Sequence, residues 1–300
     1  SGPQGERILA ELLRLPGRGV AVRVAVSAPS AKAPLDDLRA LERSGAAVRA
    51  VDLPRLTGGV LHTKFWLVDG AHLYIGSANM DWRSLTQVKE LGAAIYNCSC
   101  LAKDLGKIFE AYWALGVPDA SIPAPWPDNY STAFNAETPL QLALNDTAAA
   151  VYFSPRLHVP LPQVARRRRR QPHALRRAGG GYRRRGHSGG DGPLRGVTVP
   201  SRPQRLFLVP VSAAQARIPF ARVNHNKYMV TEKAAYVGTS NWSGDYFERT
   251  AGSALVVAQP GAGAGTFREQ LQDVFERDWG SQYSVDIGDA ERWGSRCGPR

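Results

Sequence analysis

The chain has 300 residues, 43% of them apolar and 21% charged, an ordinary globular composition that excludes a wholly disordered protein. Its longest apolar runs, at 91–96 and 254–258, fall far short of the roughly 20 residues that a membrane-spanning helix needs. The formal net charge is +12, but residues 156–200 alone hold twelve Arg, no Lys and a single acid, Asp191, so the rest of the chain is nearly neutral and offers no general electrostatic surface for any partner.

In chain order, Ile8, Leu9, Leu12 and Leu13 recur at helical spacing over 6–15, and 20–26 alternates as a strand does. Residues 36–43 predict a second helix, ended by Ser44 and Gly45, with a strand at 48–51. The opening therefore has α/β character. From 61 to 77 the pattern predicts a hairpin: an apolar strand reaching Val68, a turn at Asp69-Gly70, and a return from His72 to Ile75. Alternation along the first of these strands puts His62, Lys64 and Trp66 on one face. A strand over 91–96 and a helix over 101–113, marked by Leu101, Leu105, Ile108, Phe109 and Tyr112, follow.

The same order recurs from Val223: a strand carrying His225 and Lys227, a turn near Glu232, a strand over 235–237, Gly238 to Asn241, a strand over 254–257, and a helix with Phe267, Leu271, Val274 and Phe275. Both closing helices end alike, in Phe109-Glu-Ala-Tyr-Trp113 and Phe275-Glu-Arg-Asp-Trp279. The chain divides into a first module at 1–118, a connecting segment at 119–155, an Arg/Gly-rich segment at 156–200 expected to be solvated and disordered, a second module at 201–290, and a tail at 291–300. Cys98, Cys100 and Cys297 make no zinc site. Sequons at Asn97, Asn129 and Asn145 are candidate glycosylation sites, with a fourth sequon at Asn241. The chain opens on Ser1-Gly2-Pro3 with no Met or apolar signal region, and is expected to be a fragment or processed form with any targeting segment upstream.

Each module contains His-x-Lys followed after four residues by an acid: His62, Lys64 and Asp69, then His225, Lys227 and Glu232. Treating positions as independent, one such match arises by chance on the order of 0.01 times per chain. Each copy is followed by a Gly-x-x-Asn, which supplies Ser77 and Asn79 in the first and Ser240 and Asn241 in the second. The chemistry this suits is a phosphate site. An imidazole and an ammonium on one strand offer a nucleophile and a fixed charge, and amide and hydroxyl groups add neutral donors. Two modules face to face supply one His to attack phosphorus and another to protonate the leaving oxygen. Asp69 and Glu232 either orient the imidazoles or form the hairpin turns. Trp66 and Tyr228 either pack or stack on bases.

The duplicated pattern resembles the phospholipase D superfamily, and its wording at 62–69, 76–85 and 225–232 is most similar to the group formed by the third and fourth animal members. The resemblance covers roughly 5–155 and 205–290. It implies an α/β, pseudo-twofold duplicated phospholipase D fold, each half a mixed β-sheet flanked by helices, here with incomplete lobes because 156–200 lacks the apolar elements of the family. It implies further that His62 forms a covalent phosphohistidine, that His225 is general acid and then base, and that Lys64, Lys227, Asn79 and Asn241 hold the phosphate. No cofactor and no metal is expected. The implied activity is 5′ exonucleolytic cleavage of single-stranded DNA or RNA in the endosome or lysosome lumen, reached through the endoplasmic reticulum and Golgi. The family also brings a membrane anchor in the full-length protein and the option of a homodimer. Phospholipid hydrolysis, or a catalytically dead remnant, are the competing expectations.

Overall fold

The computed structural model describes residues 3–29, 35–155, 204–259, 263–289 and 291. The Arg/Gly-rich segment at 156–200, and Cys297 with most of the tail, lie outside the described residues.

The first module opens with helix α1 (Pro3–Arg14), followed by strand β1 (Arg23–Ser27), helix α2 (Asp36–Arg43) and strand β2 (Ala47–Val51), with β1 and β2 parallel. A short helix α3 (Leu53–Thr57) leads to an antiparallel sheet of β3 (Phe65–Val68), β4 (His72–Gly76) and β5 (Gly92–Ile95), with helix α4 (Trp82–Thr86) between the last two. Helix α5 (Ser99–Leu115) closes the module. Its buried residues Leu101, Leu105, Ile108, Tyr112 and Leu115 recur every three or four positions, the spacing of one helical face.

Strands β6 (Leu140–Leu144) and β7 (Thr147–Phe153) come next, then β8 (Arg205–Phe207), β9 (Tyr228–Val230), β10 (Ala234–Gly238), helix α6 (Gly244–Glu248), β11 (Ala254–Ala258), helix α7 (Phe267–Trp279) and β12 (Ser284–Asp286). Five strands form one sheet in the order β6-β7-β11-β10-β9, and β8 pairs separately with β12. Thr266 caps α7 by accepting from the Glu269 N–H at 3.2 Å, as the Thr-x-x-Glu spacing favours.

The repeat is present in the backbone: β3, β4, β5 and α5 correspond to β9, β10, β11 and α7. Two sequence expectations are corrected. The predicted strand from His62 is shorter, because regular pairing begins at Phe65 and the histidine precedes it. The hairpin of β6 and β7, left in the connecting segment by sequence, belongs to the second sheet through pairs such as Phe153 with Leu255. Its run of three alanines, 148–150, carries too little strand propensity to be recognised.

Both modules share one core. Ile75 on β4 and Val237 on β10 are equivalent positions and both are buried, and β4 packs against β10 and β11 while α5 reaches β7. Leu105 is fully buried where α5 meets this shared core. Leu105→Ala is expected to cost about 2–5 kcal/mol, seen in urea unfolding as a lower midpoint of one transition. Two separable transitions would show that the modules keep independent cores.

Candidate active site

Each module's histidine is stapled to the other module. Leu61 bridges Ala251 and Asn224 bridges Lys89, both in the parallel sense. The His62 N–H donates to the Ala251 carbonyl at 2.8 Å, and the His225 N–H donates to the Lys89 carbonyl at 2.9 Å. The Gly76 N–H donates to Lys64 O at 3.1 Å and the Gly238 N–H to Lys227 O at 2.8 Å; Ser77 N–H meets Leu91 O, and Thr239 N–H meets Ser253 O, each at 3.0 Å. These matched bonds set the equivalences Lys89 with Ala251, Glu90 with Gly252, Leu91 with Ser253, Ser77 with Thr239, and Asn79 with Asn241.

The lysines are placed alike. Lys64 Nζ donates to the His62 carbonyl at 2.5 Å, and Lys227 Nζ to the His225 carbonyl at 2.7 Å. Burial, with Lys227 nearby, lowers Lys64 to about 7 although Glu90 opposes the shift. Burial lowers Lys227 to about 8 against the same carboxylate.

The histidines differ. His225 Nδ1 lies 2.9 and 3.0 Å from the two oxygens of Glu90, whose side chain is 9% exposed. A carboxylate only accepts, so Nδ1 carries the proton and Nε2 is the chemically active nitrogen. Ser77 Oγ donates to Glu90 Oε2 at 2.5 Å and accepts from the Leu91 N–H at 3.0 Å, which fixes the carboxylate in turn. His62 has no such partner. The residue equivalent to Glu90 is Gly252, and a Cβ there would lie 1.8 Å from Ser240 Oγ. The His62 ring meets Tyr246 edge-on, with centroids 4.8 Å apart, and its buried Nδ1 has no hydrogen-bond partner among the described residues. Burial, then the charges of Lys64 and Lys227, hold His62 at about 3; a hydrogen bond to the Thr239 backbone opposes this and the charge of His225 adds to it. His62 is thus a neutral base over a pH range in which both lysines are charged.

Of the residues proposed from sequence, the structure joins His62, Lys64, His225 and Lys227 in one electrostatic cluster. Asp69 and Glu232 are exposed and do not orient the imidazoles. Asp69 sits in the β3–β4 turn at φ 52, followed by Gly70 at φ 62, and Glu232 sits in a turn closed by the Thr231 N–H to Ala234 O bond at 2.9 Å. Orientation falls to Glu90, which the sequence reading missed. Its signal was hidden because the repeat carries glycine at the matching position. Ser77 and Ser240 are buried at 0% and 7% exposure, so neither hydroxyl opens to a phosphate as proposed. Asn79 is exposed and Asn241 half-buried, each three residues beyond its strand. Trp66 is exposed and Tyr228 half-buried. Asn97, Asn129 and Asn145 are exposed, and the Cys98 and Cys100 sulfurs lie 3.5 Å apart as free thiols. Among the described residues, no group of three or more His, Cys, Asp or Glu is placed to hold a metal ion.

Comparison with known proteins agrees with this geometry. A family model described as "PLD3/4, PLD-like domain" matches residues 1–165. The chain is 48% identical over 356 aligned positions to the 5'-3' exonuclease PLD3 of Xenopus laevis, covering 99% of this chain and 71% of that one. It is 48% identical over 352 positions to the 5'-3' exonuclease PLD3 of Homo sapiens, with 99% and 71% covered. It is 44% identical over 352 positions to the human 5'-3' exonuclease PLD4, with 99% and 69% covered. The 356 aligned positions outnumber the 300 residues of the chain, so the frog relative carries residues with no counterpart here. The duplicated histidine-lysine fold and these likenesses together show that the chain belongs to the phospholipase D superfamily, in the group of PLD3 and PLD4.

Proposed function

We propose that this chain is a phosphodiesterase that forms a phosphohistidine on His62 and acts as a 5′-to-3′ exonuclease on single-stranded DNA or RNA in the lumen of the endosome or lysosome. The exonuclease reading takes its support from the relatives, which carry that activity in their names. The observation that carries the mechanism is the unequal pair of histidines. His62, neutral and free of a carboxylate, attacks phosphorus through Nε2. His225, backed by Glu90, donates its Nε2 proton to the departing nucleoside oxygen as the P–O bond breaks. Water then attacks the phosphohistidine, His225 takes its proton, and the N–P bond breaks to release the product and restore His62. Lys64 and Lys227 face the non-bridging oxygens with the Asn79 and Asn241 amides, and supply the charge that a divalent cation supplies elsewhere. The exposed sequons at Asn97, Asn129 and Asn145 suit a lumenal protein.

Burial and charge at these groups favour an acidic working range. His62 loses its lone pair only near pH 3, whereas Lys64 loses its charge as pH rises through about 7. Hydrolysis of a single-stranded oligonucleotide is expected between those limits, to persist with chelator present, and to vanish in His62→Ala. Release of lipid head groups with the oligonucleotide left intact would move the reading to phospholipid hydrolysis. Glu90→Gln is expected to lower kcat by about 100-fold or more, with little change in KM. An unchanged kcat would remove Glu90 from the mechanism.

The same groups affect stability. Between pH 6.5 and 3 the unfolded chain binds a proton at His62 that the folded chain does not, so this residue makes folding less favourable as pH falls through that window. His62→Asn is therefore expected to resist acid unfolding better than the parent below pH 6.5, as circular dichroism against pH would record. An equal or greater acid sensitivity would contradict the buried, neutral imidazole.

A further inference from the structure

We infer that Tyr246 is the positioning residue of His62: its ring, packed perpendicular to the imidazole, restrains the attacking ring as the Glu90 carboxylate restrains that of His225. The inference rests on the two-histidine phosphodiesterase reading and adds to it how the nucleophile is held.

The contact crosses between the modules. The ring centroids of His62 and Tyr246 lie 4.8 Å apart with their planes at 83°, an arrangement that aromatic pairs favour. Tyr246 stands on α6, and the chain beyond that helix is tied to the first module. The Thr57 hydroxyl donates to the Arg249 carbonyl at 2.9 Å, and the Ala251 N–H donates to the Val60 carbonyl at 3.0 Å. The Thr239 backbone also hydrogen-bonds the His62 ring. The stretch from Thr239 to Tyr246 therefore meets His62 at both its ends, with Asn241 between them.

The repeat shows what stands in the tyrosine's place in the other half. Tyr246 lies five residues after Asn241 and five before Ala251; Ser84 lies five after Asn79 and five before Lys89. Each is the third residue of its short helix, α6 or α4. Ser84, at 9% exposure, is thus the equivalent of Tyr246 and offers no ring. The module with Ser84 supplies Glu90 to Nδ1 of His225, and the module with Tyr246 has Gly252 at the position of Glu90. Each module brings one restraint to the other's imidazole, a carboxylate in one direction and an aromatic ring in the other.

Attack on phosphorus needs the Nε2 lone pair held in line with the bond that breaks, so swinging of the ring costs rate. One hydrogen bond fixes one atom and leaves the ring to turn about it, and a second ring packed across it stops the turn. The tyrosine brings no formal charge, so it holds the imidazole without the counter-ion that a carboxylate gives a histidine cation. It also keeps water from one side of a ring whose burial is the largest influence holding it neutral, ahead of the charges of Lys64, Lys227 and His225.

The test reads hydrolysis of bis(p-nitrophenyl) phosphate against pH, and the titration of the His62 ring by NMR, in the whole chain. Tyr246→Ser copies the first module. It is expected to lower kcat by about tenfold, with KM nearly unchanged, and to move the acidic limb and the His62 midpoint up from about 3 by about one unit or more. Tyr246→Phe keeps the ring and is expected to give back the parent's kcat and midpoint. Tyr246→Leu fills the space without a flat ring; it is expected to share the loss of kcat, and it replaces the serine variant should that one be unstable. A kcat that Tyr246→Ser or Tyr246→Leu leaves as it is would overturn the inference, as would a His62 midpoint that stays at about 3 in Tyr246→Ser. A phenylalanine variant as impaired as the serine variant would overturn it too, because the hydroxyl and not the ring would then be the acting group. The NMR titration needs no substrate. If the parent fails to hydrolyse the diester, the phosphodiesterase reading falls while the midpoints still decide the role of Tyr246.

Discussion

The stretch from Lys89 to Leu91 belongs to the first module and organises the second. Its backbone carbonyl at Lys89 holds the His225 N–H, its Glu90 carboxylate holds the His225 ring, and the Lys89 ammonium pairs with Asp278 near the end of α7 while lying 4.8 Å from the Phe207 ring centre. The reciprocal stretch at Ala251 to Ser253 holds the His62 N–H and meets the Thr63 hydroxyl at 2.9 Å. Neither half can therefore position its own histidine. The ion pair of Lys89 with Asp278, at 18% and 15% side-chain exposure, adds register more than stability, because desolvation offsets most of its attraction.

The crossing brings like charges together. Lys64 and Lys227 lower the affinity of His62 for a proton, Lys227 lowers that of Lys64, and Glu90 is the carboxylate that acts on both lysines. Two ammonium groups against one carboxylate leave a surplus of positive charge in a half-buried space, and an anion of single charge, such as a phosphodiester, offsets it. The three groups are also graded, with His62 at about 3, Lys64 at about 7 and Lys227 at about 8. Over the interval between the first two, the His62 imidazole is neutral while both lysines stay charged.

What was legible in the sequence follows from what the duplication preserves. The histidines, the lysines and the glycine before each Asn-ending segment recur because both halves need them; a side chain at Gly76 or Gly238 would strike the Tyr74 or Tyr236 hydroxyl, 2.5 Å from where its Cβ would stand. The alike endings of α5 and α7 were visible too, but not their reason. Arg49 and Arg205 lie over the Trp113 and Trp279 rings at 4.2 and 5.2 Å and donate to those residues' carbonyls, so each guanidinium caps a helix end and covers its indole. The acids Asp69 and Glu232 recur as well, and both stand in hairpin turns. Glu90 escaped because comparison of the halves finds only what both retain.

That escape has a physical meaning. A site with a carboxylate behind each imidazole would give two rings of similar basicity, either able to hold the proton, and the pair would spend much of its time with the wrong one charged. With Glu90 behind His225 and Gly252 behind His62, the surroundings of the two rings differ without any change in the backbone. The ring beside Glu90 has a carboxylate to hold its Nδ1 proton, and the ring in the half with Gly252 is buried beside two ammonium groups that disfavour its cation. The two halves of the duplicated site thus differ by a missing side chain at Gly252, where the Ser240 hydroxyl takes up the space.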